Sequence, residues 1–188
     1  MVADPINLTP VSYVVLGLIA GDGPSTPYEL KAAVARSVAK FWAFPHTQLY
    51  VEPERLAAAG LLEEDRETAG RRRRVFSITS EGRKALDAWL EQPAFKRELR
   101  DLGLLQLFFS GQAGKRTTVR ELAEHQEKSH RMLLEELEAL EKDSREEGDP
   151  HRRAVLQMGL RYERQSIDFW SEIAAGRLPD PSRPAGHD

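Results

Sequence analysis

The 188-residue chain contains no cysteine, which excludes disulfide bridges, thiolate zinc sites and cysteine nucleophiles, and suits a reducing cytoplasm. It also has no apolar run long enough to cross a bilayer. Its start, MVADPINLTPVS, lacks the basic flank and cleavage pattern of a signal peptide. A cytoplasmic protein with no membrane partner is expected. Phosphate loops, nucleophile elbows and dinucleotide fingerprints are missing as well, and most acidic residues stand on helix faces beside bases. That inventory argues against an enzyme and against a bound cofactor. His125 and His130 lie near several glutamates, but a five-residue spacing puts them on different faces of a helix. They read as two surface histidines, with no metal site.

The 40% apolar content is enough for one good core or two small ones. A formal net charge of -3 gives no general attraction to nucleic acid, so the distribution of charge matters more than its sum. Arg71, Arg72, Arg73 and Arg74 are consecutive, whereas Glu121 to Glu147 is acidic with interleaved bases. The pattern is a basic tip on a neutral or acidic body.

Start and stop signals divide the chain. Thr9-Pro10 opens a first helix that ends at Gly21, and Thr26-Pro27 opens a second with Leu30, Val34, Val38 and Phe41 on one buried stripe, ending near Trp42. A third helix starts between Pro45 and Thr47, turns Leu49 and Leu56 inward and stops at Gly60. Pro53 inside it predicts a kink or a short first piece. The runs LLEEDRE and RRVFSI, split by Thr68, Ala69 and Gly70, predict a two-stranded hairpin. Thr79 or Ser80 caps a fourth helix. LRDLGLLQLFFSG predicts a short buried helix, and two long helices follow, Thr117 to about Ser144 and His151 to Ala175, with Glu124–Lys128 and Glu138–Lys142 as supporting ion pairs.

Three helices, a hairpin and a helix within the first half form the order of a winged helix-turn-helix. The fold class is mainly α: residues 1–92 as a winged helix-turn-helix with a two-stranded wing, 93–176 as a helical dimerisation module, and 177–188 as a loose tail. A helix fits the major groove of duplex DNA, and a basic wing reaches flanking phosphates. The candidate contacts on the third helix are His46, Thr47, Gln48 and Tyr50, of which Gln48 can pair two hydrogen bonds with adenine. The plainer reading makes them a solvated helix face. Adjacent strand residues face opposite ways, so about two of Arg71, Arg72, Arg73 and Arg74 can face DNA together. In isolation such a run serves equally well as a charged guard on an edge strand; at the wing of this element order, binding is the better reading. Core packing is the default for Trp42, Trp89 and Trp170, with an aromatic effector pocket as the alternative.

The strings SYVVLGLIAGDGPSTPYEL, QLYVEPERLAAAGLL and RRRVFSITSEGRKAL resemble the PadR family of regulators. LRDLGLLQLFFSG, followed by two long helices ending in RYERQSIDFW, is similar to the helical module of its virulence-activator-like branch. The resemblance spans about residues 8–176 and implies that Gln48, Leu49 and Tyr50 lie on the recognition helix, the arginine run in the wing, and Thr79 and Gly82 at the next helix start. Glu52 and Pro53 depart from the residues usual in the middle of that helix. The family also implies a homodimer on a palindromic operator in double-stranded DNA, acting as a repressor that a small hydrophobic or phenolic effector releases.

Dimerisation has a separate argument. Two long helices with apolar stripes cannot cover both stripes alone, so Leu133, Leu137, Leu140, Leu156, Leu160, Ile167 and Trp170 are expected at the interface with a second copy. Two recognition helices about one DNA turn apart, roughly 34 Å, then read an inverted repeat. The alternative function is a winged-helix adaptor that has lost DNA binding and holds a protein partner through its C-terminal helices.

Overall fold

The computed structural model describes residues 6–42, 44, 45, 47–66, 73–93, 99–112, 117–143 and 149–178. The chain divides into two compact units, 1–97 and 98–188. The tail expected at 177–188 lies outside the described residues from 179 onward.

The first unit is built around α1 (Pro10–Asp22), which is apolar on nearly every side and buries Val11, Ser12, Val15, Leu16, Leu18 and Ile19. A helix buried all round needs neighbours all round. They are α2 (Pro27–Arg36), α3 (Gln48–Ala58), the strand β2 (Arg74–Ile78), which pairs with β1 (Leu62–Arg66), and α4 (Ser80–Leu90). Leu30, Val34, Leu49, Leu56 and Phe76 close the core from these elements, each such side chain stabilising the fold by about 1.5–3 kcal/mol. Thr26 and Glu29 form a reciprocal cap at the start of α2, and the Thr79 hydroxyl accepts from the Gly82 amide at 3.0 Å to start α4.

The second helix is shorter than its stripe implies. The Ser37 hydroxyl donates to the Ala33 carbonyl at 2.8 Å, its backbone leaves the helical region, and the chain tightens into a 3₁₀ turn at Val38–Lys40. That change of pitch turns Phe41 out to 62% exposure, so it is not a core residue. Conversely, α3 runs unbroken through Pro53 and no separate first piece forms. The proline forgoes the bond its amide would have made to the Leu49 carbonyl and crowds that carbonyl, costs offset in part by the full burial of its ring. Gly60, at a φ of 74°, takes the left-handed conformation that lets the chain leave α3 directly into β1.

The strands are antiparallel, with Leu62 opposite Ile78 and Arg66 opposite Arg74. Ser25 adds a backbone bridge to Phe76 that makes the sheet three-stranded at one point, a pairing with no sequence signature.

In the second unit α5 (Leu102–Phe109) precedes two long helices, α6 (Thr117–Asp143) and α7 (Pro150–Ala174). Glu141 with Gln157 and His130 with Glu163 pair in opposite chain order, so α6 and α7 form an antiparallel hairpin. Two ion pairs differ from expectation. Glu124 takes Arg120 and Glu138 takes Arg164, the second joining the two helices in place of the local Lys142. His130 is not a surface residue either. Its Nδ1 lies 2.6 Å from the Glu163 carboxylate between α6 and α7, and both side chains are nearly covered. The short helix α5 is the clearest correction. Only Gly103 is buried, whereas Leu102, Leu105, Phe108 and Phe109 are all exposed. No helix among the described residues is long and apolar enough to cross a membrane.

Candidate nucleic-acid interface

The first turn of α3 projects Thr47, Gln48, Tyr50 and Val51 outward while Leu49 plugs the core. Thr47 has helical backbone angles and its hydroxyl makes no cap hydrogen bond. The turn instead begins with the Gln48 amide donating to the Pro45 carbonyl at 3.0 Å. The resulting surface is polar, has an aromatic edge, and sits at a helix N-terminus, where the helix dipole favours a phosphate. His46 lies outside the described residues.

The inner face of α3 is anchored by charge as well as by grease. Leu49, Glu52, Pro53 and Leu56 fall at i, i+3, i+4 and i+7, which puts a carboxylate on the buried side. The Ser12 hydroxyl donates to Glu52 at 2.6 Å, and Arg55 donates to both Glu52 oxygens at 2.9 and 2.6 Å. Arg55 also reaches the Ser12 hydroxyl and the Asn7 carbonyl, so the network ties the N-terminal segment, α1 and α3 together. Burial pushes the Glu52 carboxyl up, but the bonds from Arg55 and Ser12 outweigh it and hold it below the usual carboxylate range. The sequence carried the signal for this, a Glu at an inward position with Arg three residues on, although its function was not read from it.

The arginine run divides. Arg71 and Arg72 lie outside the described residues, and Arg73 is exposed. Arg74 is half-buried on the inner face of the wing and does not point away from the protein. Its Nε and Nη2 donate to the Glu64 carboxylate at 2.5 and 3.0 Å, its Nη1 donates to Glu54 on α3, and its Cζ stands 5.5 Å from the centre of the Phe76 ring. Hydrogen bonds from Arg74, and then from Arg66, bring the Glu64 carboxyl down to about 2. The bond to Glu64 likewise raises Arg74 above its ordinary value. The expected alternation of strand side chains explains the split: Arg74 shares a face with Phe76, and Arg73 takes the other.

The expected dimer stripe also divides. Leu137, Leu160, Ile167 and Trp170 are buried within the chain's own helical unit, Trp170 against Phe169, Ala123 and Ile173. Leu133, Leu140 and Leu156 are half-buried. Four of the seven therefore belong to the core of the chain's own helical unit, where α6 and α7 cover one another's stripes. Apolar side chains left exposed include those on the outer face of α5, Met132 on α6 and, on α7, Val155, Met158 and Tyr162 at i, i+3 and i+7. Of the tryptophans, only Trp170 is core. Trp89 is 40% exposed and stacks on Tyr13 with ring centres 4.5 Å apart, and Trp42 is exposed.

A three-helix unit whose recognition helix leads straight into a two-stranded wing, followed by a long-helix unit, defines a winged helix-turn-helix regulator. Residues 15–88 match the transcriptional regulator PadR-like family, and residues 99–176 match the virulence activator alpha C-terminal domain. The chain belongs to the PadR-like transcriptional regulators and carries the virulence-activator type of C-terminal domain.

Solved structures agree on the fold. Bacillus subtilis PadR in complex with operator DNA superposes with a TM-score of 0.78 at 20% identity, over 91% of this chain and 99% of that one. The same regulator in complex with p-coumaric acid gives 0.72 at 19% identity, over 93% and 100%. The Vibrio cholerae virulence activator AphA gives 0.64 at 23% identity, over 88% and 96%. Among curated protein sequences none matches this chain.

Proposed function

We propose that this regulator is a repressor that binds an inverted-repeat operator as a homodimer, reading bases with the first turn of α3 and phosphates with the wing. The carrying observation is that Thr47, Gln48 and Tyr50 are exposed together on one turn whose reverse side is locked by Leu49 and the Glu52–Arg55 network. A locked reading helix loses little freedom on binding. Arg73, with Arg71, Arg72 and His46, completes the proposed DNA surface.

Homodimerisation is supported by the uncovered apolar residues Leu102, Leu105, Phe108 and Phe109, since contiguous exposed apolar patches on a folded chain mark contact surfaces. Leu133, Leu140 and Leu156 remain candidate contributors from the hairpin. A small apolar or phenolic effector is supported by the p-coumaric acid complex of the Bacillus subtilis relative.

The test is selection of duplexes from a random library by the full chain, followed by affinity measurements across a salt series. An enriched inverted repeat is expected, with a log–log salt slope of about -0.9 per phosphate neutralised. Gln48→Ala should relax preference at one position of each half-site, on the order of 1–3 kcal/mol, and Arg73→Ala should weaken all sequences alike. No enrichment and no salt-dependent binding would favour the protein-holding adaptor instead.

A further inference from the structure

We propose that Arg74 is a positioning strut within the arginine run and not one of its DNA contacts: by joining Glu54 on α3 to Glu64 on β1, it sets the spacing at which the recognition helix and the wing meet a duplex. This rests on the DNA-binding reading above. The near end of the wing needs no such device, because only Ala59, Gly60 and Leu61 separate α3 from β1. Farther out the two elements diverge, and an open groove of 660 Å³ lies between them, bordered by Glu54, Ala58, Leu62, Glu64 and Arg66. Arg74 sits at the outer end of β2, opposite Arg66, and its guanidinium spans that groove.

The geometry suits a strut in three ways. The planar fork takes Glu64 with two nitrogens and leaves a third for Glu54, so one rigid group holds two elements at a fixed separation. The guanidinium is steadied from a third side, because its Cζ stands 5.5 Å over the fully buried ring of Phe76. Glu64 is itself held by a second arginine, Arg66, at 2.6 Å. A free phosphate-seeking arginine would have none of these constraints. Glu54, meanwhile, stands on the exposed side of α3 close to the proposed DNA surface, where an acidic group opposes binding unless it has a structural task.

That placement gives a test in which the two readings differ in sign. Glu54→Gln removes a negative charge beside the DNA and loosens the tie of Arg74 to α3, while Glu64 still holds it to β1. If Arg74 is a phosphate contact held back by Glu54, binding to a random-sequence duplex should tighten. If it is a strut, binding should weaken by roughly threefold or more despite the favourable change of charge. Arg74→Gln should weaken binding to a similar degree while keeping the parent's salt slope. Loss of a phosphate contact would instead flatten that slope by about 0.9.

Tighter or unchanged binding by Glu54→Gln, or a flattened slope for Arg74→Gln, overturns the strut. Amide hydrogen exchange supplies an arm without DNA. In Glu54→Gln the β1 and β2 amides should exchange several-fold faster, and unchanged exchange there also overturns the proposal. A parent protein that binds no duplex at all defeats the DNA-binding reading, while the exchange arm still decides the strut.

Discussion

The two units of this chain solve the problem of burial differently. In the first, side chains from α1, α2, α3 and β2 meet so completely that Val15, Leu16, Val34, Leu49, Leu56 and Phe76 have essentially no contact with water. In the second, α6 and α7 cover each other along one seam, yet Phe108 is 79% exposed, Leu102 68% and Met158 63%. The difference is one of layers. The helix α1, apolar on nearly every side, is surrounded by α2, α3, β2 and α4, which together close a core. A two-helix hairpin has two faces and can close only one of them. The first unit is thus closed around its core, and the second leaves apolar side chains exposed.

The sharpest way to break that comparison is to remove a side chain from each. Phe76→Ala, in the closed core, should destabilise the first unit by about 3–5 kcal/mol, read as a lower denaturation midpoint and faster amide exchange in α1 and α3. A cost below about 1 kcal/mol would mean that the core is looser than its burial implies. Phe108→Ser, on the uncovered face of α5, should leave the folding of a single chain almost unchanged, because the ring is already in water. Its effect should fall on self-association, weakening it by on the order of tenfold in sedimentation equilibrium, from the lost apolar burial. If Phe108→Ser associates as the parent does, α5 does not belong to the dimer surface and the contrast between the units must be explained otherwise.

Much of this was legible from the residues, for local reasons. Thr-Pro starts and the Gly60 stop act within a few residues, so the starts of α1 and α2 and the end of α3 followed from them; the two strands also followed from their runs, while the break expected at Thr68–Gly70 lies outside the described residues. The recognition helix was legible because Leu49 and Leu56 fixed which side faced inward. What escaped reading depended on partners distant in sequence. The one local exception is Phe41, which leaves its stripe where the Ser37 backbone departs from the helical region and the chain tightens into a 3₁₀ turn. The helix α5 reads as buried because apolar residues on every side usually mean surroundings on every side, and one chain does not supply them. Four residues of the expected dimer stripe, Leu137, Leu160, Ile167 and Trp170, are buried within the helical unit itself, which an apolar stripe alone does not distinguish from a surface kept for a partner. Arg74 was grouped with its neighbours because adjacency says nothing about Glu54, twenty residues earlier on another element.

The smallest expected effect tests whether the rigidity of the first unit extends to its wing. Hydrogen bonds from Arg74 and Arg66 hold the Glu64 carboxyl down at about 2 in the folded chain, below the ordinary carboxylate value of 4.5. A folded pKa below the unfolded one means that the unfolded chain binds the proton more readily. The contribution to stability is therefore complete above pH 4.5 and is lost as pH falls toward 2. Because Glu64 and its arginines are near solvent, the loss should be modest and salt-sensitive. Amide exchange between pH 5 and pH 2, corrected for intrinsic rates, should show the ends of β1 and β2 near Arg66 and Arg74 losing protection before the α1 amides do. Glu64→Gln should abolish that early step and begin with the wing already loosened. Simultaneous loss in α1 and the wing, or an early step that survives in Glu64→Gln, would show that the carboxylate does not set the wing's hold on α3.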